Sequence, residues 1–376
     1  MNEILSPNQR VVIGMYDGLG MAYYNESPLP TMKSMAERGF FRKVTAVFPS
    51  VTNVNNVSIG CGTWPKEHGI VANSYYVPET GKTEYMNAAE MIQTQTLFQR
   101  AKAAGDSSAL LTSKRKTLEL FKECIDIGIA AESATPEIEA RYGKAPDIYS
   151  REINYWLWEI AVDILKNRPD IKVLYVHITD YPMHAWEPSR PESQEHLARL
   201  DELLAQAEQV APDAAFFMTA DHSMNFKKRC WDLARVCETN GCSLKFALSP
   251  ERDYYIQHHR NFTGCAWVWL NDPDDERRVR DIIDSLEGVE GILGKEEAAH
   301  RFHLPSTHLG DLVVLGDRDT MFGELETPGE DLPETYRAHG SLHEMDVPLI
   351  IFNQGGTLPP ADVFEANKDL TRFLYR

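Results

Sequence analysis

The sequence has no apolar segment long enough to span a membrane and no closely spaced pair of cysteines. A membrane helix needs about 20 consecutive apolar residues. The apolar stretch near the N-terminus is only as long as a strand, and it follows polar and acidic residues rather than the basic residues of a signal peptide. None of the six cysteines forms a CxxC motif: Cys61, Cys124, Cys230, Cys237, Cys242 and Cys265. We therefore expect reduced thiols and a cytoplasmic protein without a membrane partner.

Basic residues are also scarce. The 376-residue chain has 38 Lys and Arg against 56 Asp and Glu, which gives a formal net charge of -18. Nucleic-acid binding depends on Lys and Arg that neutralise phosphates, so this charge argues against a nucleic-acid partner. The acidic excess has two interpretations: it serves solubility alone, or some of the carboxylates are clustered to hold cations.

Short apolar segments that end in polar or charged residues recur along the chain. Four of them are VVIGMYD, ALLTSK, VLYVHITD and AAFFMTADH, at residues 11–17, 109–114, 173–180 and 214–222. Such segments are typical of strands that are buried on both faces of a parallel sheet. Helical patterns lie between them, at residues 96–105, with Thr96 as the predicted N-cap, and at residues 153–164. The alternation predicts an α/β fold, a doubly wound and mostly parallel sheet flanked by helices.

The pattern changes between residues 226 and 309. CAWVWL, ERRVRDIIDSLEGVEGIL and DLVVLG follow one another as strand, helix and strand, which predicts a small α+β cap inserted into the core. The core pattern resumes in HGSLHEMDVPLIIFN near the C-terminus. We assign residues 1–225 and 310–376 to a metal-binding catalytic core and residues 226–309 to the inserted cap.

Acidic residues end three of the predicted strands. Asp17 and Asp180 end two of them, with His184 four residues after Asp180, and Asp221 ends a third, directly before His222. In sheets of this kind ligands bind beyond the carboxyl ends of the strands. A helical turn after Asp180 would direct it and His184 toward one cation. Each residue alone is better explained as a helix cap or turn residue, but three such strand ends together favour a metal site.

Other histidines are weaker candidates. His339 precedes a glycine, whose missing side chain leaves room in a crowded site, and His343 follows four residues later as a solvated or supporting group. His258 and His259 lie in the predicted cap, and we interpret them as surface residues. Asp and His ligands without thiolates favour Zn²⁺, with Mn²⁺ as the alternative.

Thr52 lies between a strand-like segment and a helical pattern that we expect to begin near Val57. Two metals about 4 Å apart are the usual arrangement for in-line attack at phosphorus. A threonine hydroxyl becomes a nucleophile when a metal or a base lowers its pKa, and a helix N-terminus below it would favour a bound anion. Asn55 and Asn56 either contact substrate oxygens or stabilise the loop through hydrogen bonds.

Taken together and in their order, MYDGLG, FPSVTNVNNVSIGCGTWPKEHGIVAN, TDYPMH, TADHSM and HGSLHE resemble the alkaline phosphatase superfamily. Within it they resemble the nucleotide pyrophosphatase/phosphodiesterase and phosphonoacetate hydrolase branch. The resemblance implies an alkaline phosphatase-like core, two divalent metal ions and Thr52 as the nucleophile. It further implies that one ion is held by Asp180, His184 and His339, and the other by Asp17, Thr52, Asp221 and His222.

Inside this branch the chain is more similar to phosphonoacetate hydrolase. Asn55-Asn56 stands where phosphodiesterases typically have Asn-His, and TDY precedes the first metal pair. The resemblance implies that an asparagine and two lysines bind the phosphonate and carboxylate of the substrate. The candidates in this sequence are Asn73, Lys114 with Lys116 as its rival, and Arg199 in place of the second lysine.

The resulting prediction is a dinuclear metal hydrolase that resembles phosphonoacetate hydrolase and cleaves a C–P bond to acetate and phosphate. The alternative is a nucleotide pyrophosphatase/phosphodiesterase that cleaves a P–O bond, in which Tyr75 and Tyr76 would form an aromatic slot instead of packing. A non-catalytic binding protein is a minor alternative, because it would require a missing nucleophile or missing ligands. The expected partner is a small anionic phosphonate or phosphodiester, and a homodimer is compatible with the sequence.

Overall fold

A computed structural model of the protein describes residues 4–375. Residues 1–3 and 376, which the predicted domain ranges include, lie outside the described residues. The strands are β1 Val11–Met15, β2 Phe40–Thr45, β3 Ser74–Val77, β4 Lys82–Tyr85, β5 Ser107–Thr112, β6 Ile127–Ala130, β7 Ile171–His177, β8 Ala215–Thr219, β9 Asn225–Phe226, β10 Arg229–Trp231, β11 Leu244–Leu248, β12 Cys265–Leu270, β13 Val289–Gly294, β14 Leu312–Gly316, β15 Thr320–Phe322, β16 Gly329–Asp331, β17 Arg337–Ala338 and β18 Asp346–Phe352. The α-helices are α1 Met21–Glu26, α2 Pro30–Arg38, α3 Thr52–Cys61, α4 Pro65–His68, α5 Leu97–Ala103, α6 Arg115–Phe121, α7 Pro136–Tyr142, α8 Glu152–Asn167, α9 Tyr181–Ala185, α10 Pro191–Val210, α11 Leu233–Thr239, α12 Ile256–His259, α13 Glu276–Asp284 and α14 Lys295–Phe302.

A seven-stranded sheet in the order β2-β18-β8-β1-β7-β5-β6 forms the centre of the molecule. Strands β8, β1, β7, β5 and β6 pair in parallel, and β18 runs antiparallel to its neighbours β8 and β2. The apolar runs place every residue of β1 and β8 in the interior, as expected for strands covered on both faces. The predicted α/β fold with a mostly parallel sheet is confirmed.

The register of the three central strands determines where the site lies. Met15 at the end of β1 is level with His177 of β7 and with Thr219 of β8. The chain therefore leaves these strands at the same edge of the sheet, and the residues that follow each of them converge there.

Helices cover the sheet, as the helical patterns predicted. Helix α5 begins where Thr96 was expected to cap it, since the Thr96 hydroxyl accepts a hydrogen bond of 3.2 Å from the backbone N–H of Gln99. Helix α8 spans the predicted 153–164 pattern and packs on β5, β7 and α10. None of the helices within residues 4–375 has both the length and the apolar character that a membrane crossing requires.

A second, four-stranded antiparallel sheet has the order β11-β12-β14-β13 and its own apolar core. CAWVWL forms β12, ERRVRDIID forms α13 and DLVVLG contains β14, as the predicted strand, helix and strand require. Because β14 pairs in this sheet but lies beyond residue 309, the second sheet extends past the expected cap boundary. The division into 1–225 and 310–376 with 226–309 inserted stays a prediction.

The connection between β11 and β12 folds back over the central sheet. We call its residues 250–259 the cap segment. The backbone carbonyl of Pro250 accepts a hydrogen bond of 2.8 Å from the N–H of Asn73, just ahead of β3. Helix α12, at the end of the cap segment, contacts α9, which follows β7. The cap segment therefore covers the edge at which the central strands end.

Candidate active site

Three buried carboxylates meet at the carboxyl ends of β1, β7 and β8. Asp17, Asp180 and Asp221 are almost inaccessible to solvent. Asp221 accepts hydrogen bonds from the backbone N–H groups of Gly18 and His222 on one oxygen, at 3.0 and 2.9 Å. Within residues 4–375 there is no hydrogen-bond partner for the other oxygen of Asp221, for either oxygen of Asp17 or for one oxygen of Asp180. Buried carboxylate oxygens without partners are expected where a cation binds.

The electrostatics of these carboxylates support the same interpretation. Burial, together with repulsion from Asp180 and Asp221, raises the pKa of Asp17 to about 7. Burial likewise raises the pKa of Asp221 to about 6. Burial opposes ionisation of Asp180 as well, but His184 and Lys114 outweigh it and hold the pKa of Asp180 well below its ordinary value. Three ionised carboxylates at this point are costly unless cations compensate their charge.

Three histidines share an arrangement that suits metal ligands. In each of them Nδ1 lies within hydrogen-bond distance of a backbone carbonyl: Ser223 at 2.9 Å for His222, Arg337 at 2.7 Å for His184 and Ser50 at 2.8 Å for His339. A carbonyl only accepts, so Nδ1 carries the proton and Nε2 presents its lone pair to the site. Burial lowers the pKa of His222 and of His339, which keeps both rings neutral. A ring fixed through its second nitrogen is typical of metal-bound histidine.

The Nε2 atoms and the carboxylates form two adjoining groups. His222 Nε2 lies 3.4 Å from Asp17 Oδ1 and 3.3 Å from Asp221 Oδ2. Asp180 Oδ2 lies 2.9 Å from His184 Nε2 and 3.7 Å from His339 Nε2. The rings of His222 and His339 stack with 3.6 Å between their centroids, so the groups lie side by side. The donor atoms suit two neighbouring cations.

Thr52 is the first residue of α3, which begins five residues earlier than the expected start near Val57. Its hydroxyl oxygen is buried and lies 3.4 Å from His222 Nε2. The Asn55 side chain exchanges hydrogen bonds of 2.7 and 2.9 Å with the backbone of Val47 and so fixes the turn before the helix. Asn56 is held by the Tyr175 hydroxyl at 2.7 Å. Both asparagines stabilise local structure, which is one of the two interpretations that the sequence allowed.

The two candidate lysines have different surroundings. The Nζ of Lys114 lies 3.6 Å from Asp17 and 3.9 Å from Asp180. Burial acts to lower the pKa of Lys114, but these carboxylates outweigh it and raise that pKa above the ordinary value. The Nζ of Lys116 donates to Asn73 Oδ1 at 3.1 Å and forms an ion pair with Asp253 of the cap segment. Asn73 and Lys116 therefore lie together where the cap segment meets the core.

Arg199 does not join this cluster, so its expected role with the substrate is not supported. Its guanidinium binds Glu159 at 3.0 Å and Glu202 at 3.1 Å, and its side chain is 38% exposed. The buried face of α10 is formed by Leu197, Leu200 and Leu204, which leaves position 199 on the outer face. His343 is also exposed and lies 2.9 Å from Glu290, in keeping with the solvated role expected of it.

The interpretation of His258 and His259 as surface residues is wrong. The His258 side chain is only 3% exposed, and its Nε2 lies 3.7 Å from Asp180 Oδ1. Its ring centroid lies 4.8 Å from that of His184, while His259 is buried beside Glu251. The cap segment brings both residues to the site from a distant part of the chain. The only local signal was the pairing of the two histidines.

His177, the last residue of β7, was not among the predicted site residues. Its Nε2 is buried 3.5 Å from Asp17 Oδ2, and its Nδ1 lies 3.0 Å from the hydroxyl of Thr112. Its position near the end of VLYVHITD, three residues before Asp180, was a signal that could have been used. His177 supports Asp17 from the sheet side of the cluster.

Comparisons with known proteins agree with this geometry. The family described as Type I phosphodiesterase / nucleotide pyrophosphatase matches residues 11–342. An uncharacterized pyrophosphatase/phosphodiesterase of Schizosaccharomyces pombe is 34% identical over 79 residues, which are 21% of this chain and 16% of that protein. The match thus spans about a sixth of the length of that relative.

Solved structures resemble the chain over nearly its whole length. Phosphonoacetate hydrolase from Sinorhizobium meliloti 1021, in complex with phosphonoacetate, is 28% identical with a TM-score of 0.88, and the match covers 98% of this chain and 95% of that one. The complex of the same enzyme with phosphonoformate is 27% identical to this chain with a TM-score of 0.87, and the match again covers 98% of this chain and 95% of that one. Murine ectonucleotide pyrophosphatase/phosphodiesterase 5 is 16% identical with a TM-score of 0.68, and the match covers 96% of this chain and 93% of that one. The murine protein shares the fold.

The family match extends from β1 to residue 342 and so includes every candidate ligand from Asp17 to His339. Together with the bacterial neighbours, it confirms the predicted superfamily and the prediction of a hydrolytic enzyme. The chain belongs to the type I phosphodiesterase/nucleotide pyrophosphatase family, within the alkaline phosphatase superfamily.

Proposed function

We propose that the protein is a dinuclear metal hydrolase that cleaves phosphonoacetate or a closely similar phosphonate through Thr52. The observation that carries this proposal is the buried Thr52 hydroxyl at the start of α3, beside adjoining groups of carboxylates and inward-facing histidine Nε2 atoms. The similarity to phosphonoacetate hydrolase, at 28% identity over nearly the full length of both chains, supports the choice of substrate.

The donor atoms fit two divalent ions, for which we propose Zn²⁺, with Mn²⁺ as the alternative. Asp180, His184 and His339 would hold one ion, and Asp17, Thr52, Asp221 and His222 the other. The carboxylate oxygens of Asp17, Asp180 and Asp221 that lack hydrogen-bond partners within residues 4–375 support this assignment. When bound, the ions would lower the pKa of the Thr52 hydroxyl and neutralise charge on the phosphonate oxygens.

In the proposed reaction the Thr52 oxygen loses its proton to water and attacks phosphorus in line with the C–P bond. A P–O bond to Thr52 forms as the C–P bond breaks, and the leaving carbon takes the electron pair and a proton from water to become acetate. Water then cleaves the phosphothreonine to phosphate and restores the hydroxyl. The N–H groups at the start of α3 face the anion, and Lys114 would bind the carboxylate of the leaving group.

The surroundings of Tyr75 and Tyr76 favour a phosphonate over a nucleotide substrate. Tyr76 stacks on Phe246, with 4.6 Å between the ring centroids, and its ring also contacts Trp269. The Tyr75 hydroxyl donates to Glu84 at 2.8 Å. Both tyrosines therefore pack the β3–β4 hairpin and its neighbours, and neither supplies the aromatic slot that a phosphodiesterase of this branch would use.

A parallel assay of zinc-loaded protein tests the proposal. Phosphate release from phosphonoacetate and nitrophenol release from a nitrophenyl phosphodiester are measured side by side, with Thr52→Ala as the control. We expect phosphonoacetate to be preferred and Thr52→Ala to be inactive on both. Preference for the diester would favour the phosphodiesterase alternative, and a lack of turnover on both substrates would favour a binding protein.

We further propose a cytoplasmic location. All six cysteines are free thiols, and Cys124 is exposed, which suits a reducing compartment. Thiol titration of protein isolated under non-reducing conditions tests this proposal, because a disulfide would argue for an oxidising compartment.

A further inference from the structure

We propose that Glu344, paired with Lys227, is a positioning residue that holds the His339 ring in place for metal binding. Glu344 is not one of the proposed ligands. It acts through Ser341 and then through Ser50, whose backbone carbonyl faces Nδ1 of that ring. The inference rests on the proposed function for the role of His339, but it concerns how a ligand is oriented and not the bond that is cleaved.

Lys227 and Glu344 form an ion pair in the interior of the protein. Both side chains are 0% exposed, and Lys227 Nζ lies 2.8 Å from Glu344 Oε1. Burial acts to raise the pKa of Glu344, but Lys227 and hydrogen bonds from Ser341 and Asn225 outweigh it and hold that pKa below its ordinary value. A buried ion pair is weak evidence for stability, because apolar residues of similar volume often replace it without loss. The hydrogen bonds of the carboxylate point to a different role.

The Glu344 carboxylate fixes Ser341. Its Oε2 accepts hydrogen bonds from the backbone N–H of Ser341 at 3.0 Å and from the Ser341 hydroxyl at 2.6 Å. Its Oε1 accepts from Asn225 of β9 at 2.6 Å, beside Lys227. With two donors on each oxygen, the carboxylate cannot turn without leaving a buried donor unpaired, which is costly. Ser341 is thus held in a fixed position relative to β9.

Ser50 carries this constraint to the proposed metal site. Its hydroxyl donates to the Ser341 carbonyl at 2.8 Å and accepts from the backbone N–H of Gly340 at 3.2 Å. Its own carbonyl lies 2.8 Å from His339 Nδ1. Ser50 is therefore bound to three successive residues, 339–341, and a turn of the His339 ring would break one of these contacts. Groups that bind the second nitrogen of a ligand histidine set the orientation of its ring.

The backbone of Glu344 reaches the other group of ligands. Its carbonyl accepts a hydrogen bond of 2.7 Å from the N–H of Ser223, and the Ser223 carbonyl lies 2.9 Å from His222 Nδ1. A change of side chain at position 344 leaves this backbone link in place. Such a change should therefore affect the ion proposed for His339 more than the ion proposed for His222.

Two double variants separate positioning from charge. Lys227→Met with Glu344→Gln and Lys227→Met with Glu344→Met both lack the ion pair. The amide oxygen in the first can still accept from Ser341, whereas the thioether in the second is only a weak acceptor. Metal-free protein is reloaded with zinc, and the affinity for each ion is measured by competition with a chromophoric chelator. Urea unfolding of the metal-free protein gives the stability of each variant.

Asp232→Asn is the matched control for the loss of a buried carboxylate. Asp232 is buried and accepts backbone hydrogen bonds from Arg235 at 3.1 Å and from Leu325 at 3.0 Å. It caps α11, which packs on β11 of the second sheet. Asp232→Asn should lower stability and leave the affinity for zinc unchanged.

The Glu344→Met double variant should bind one of its two zinc ions about 10- to 100-fold more weakly than the parent. The Glu344→Gln double variant should bind both ions within about threefold of the parent, because Ser341 keeps its acceptor. Ser50→Ala retains the ion pair but removes the hydroxyl that links residues 340 and 341, so it should weaken the same ion. This single variant decides the question if the Glu344→Met double variant does not fold.

Parental zinc affinity in the Glu344→Met double variant or in Ser50→Ala would overturn the inference. Equal losses in the two double variants would overturn it as well, because the ion pair and not the acceptor for Ser341 would then be responsible. A loss in Asp232→Asn would mean that zinc affinity merely follows stability. Failure of the proposed function appears in the parent instead, as an absence of bound zinc or as zinc-loaded protein that does not turn over phosphonoacetate.

Discussion

The buried residue His68, which contacts the helix that carries Thr52, allows a quantitative prediction of how the free energy of unfolding depends on pH. It ends α4, is fully buried, and connects to α3 through a contact of 2.8 Å between its Nε2 and the Ser58 hydroxyl. Its Nδ1 accepts a hydrogen bond of 3.2 Å from the backbone N–H of Ile70. Nδ1 is therefore unprotonated, Nε2 carries the proton and donates to Ser58, and the ring is neutral. Burial lowers the pKa of His68 from 6.5 to about 3.

The sign and size of the effect follow from this pKa. Because the pKa is lower in the folded state than in the unfolded chain, the unfolded chain binds a proton first as the pH falls. The contribution of neutral His68 to stability is complete above pH 6.5 and is lost progressively as the pH falls toward 3. The loss amounts to about 2 kcal/mol at pH 5 and at most about 5 kcal/mol at lower pH.

The assay compares His68→Gln with the parent protein. Gln keeps donor and acceptor atoms but does not titrate. The free energy of unfolding is measured with urea in metal-free protein at about pH 7.5 and about pH 5. We expect the variant to be less stable overall, but its loss between the two pH values should be smaller by about 2 kcal/mol. His300→Gln, at an exposed position of α14, is the control and should keep the parental pH dependence. Equal losses in His68→Gln and the parent would refute the reasoning.

The remaining predictions concern the proposed site. Thr52→Ala should lower turnover at least about 1,000-fold with metal content largely kept, as measured by turnover and metal analysis; near-normal turnover would exclude Thr52 as the nucleophile. Treatment with a chelator should abolish turnover, and added Zn²⁺ or Mn²⁺ should restore it, whereas activity of metal-free protein would contradict the metal assignment. His339→Ala should lose bound metal and His343→Ala should not, because only His339 is buried beside Asp180; the reverse result would exchange their roles.

The convergence of Asp17, Asp180 and Asp221 was predictable from the sequence for a physical reason. Each follows an apolar run that is buried on both faces, and parallel strands end at one edge of their sheet. The level positions of Met15, His177 and Thr219 then leave little freedom for the residues that follow. His339 was harder to place, because it follows the two-residue strand β17 and not a strand of the central sheet.

The contributions of the cap segment were not predictable in the same way. His258 and Asp253 reach the core through a long-range fold of the connection between β11 and β12, for which local periodicity carries no information. The expected role of Arg199 lacks support for another reason. Its role was carried over from a resemblance, whereas the phase of α10 turns position 199 toward Glu159 and Glu202.

The two parts of the site differ in how firmly the chain fixes them. The proposed ligands Asp17 and Asp221 lie just beyond the ends of β1 and β8. The register of these strands cannot shift without moving a buried apolar face. Glu251 and Asp253 lie in a connection, where changes of sequence cost less stability. Glu251 accepts a hydrogen bond from Asn73, and Asp253 pairs with Lys116 rather than with the proposed cations. Substitutions in the cap segment can therefore alter its contacts with Asn73 and Lys116 while the carboxylates of the core stay in place.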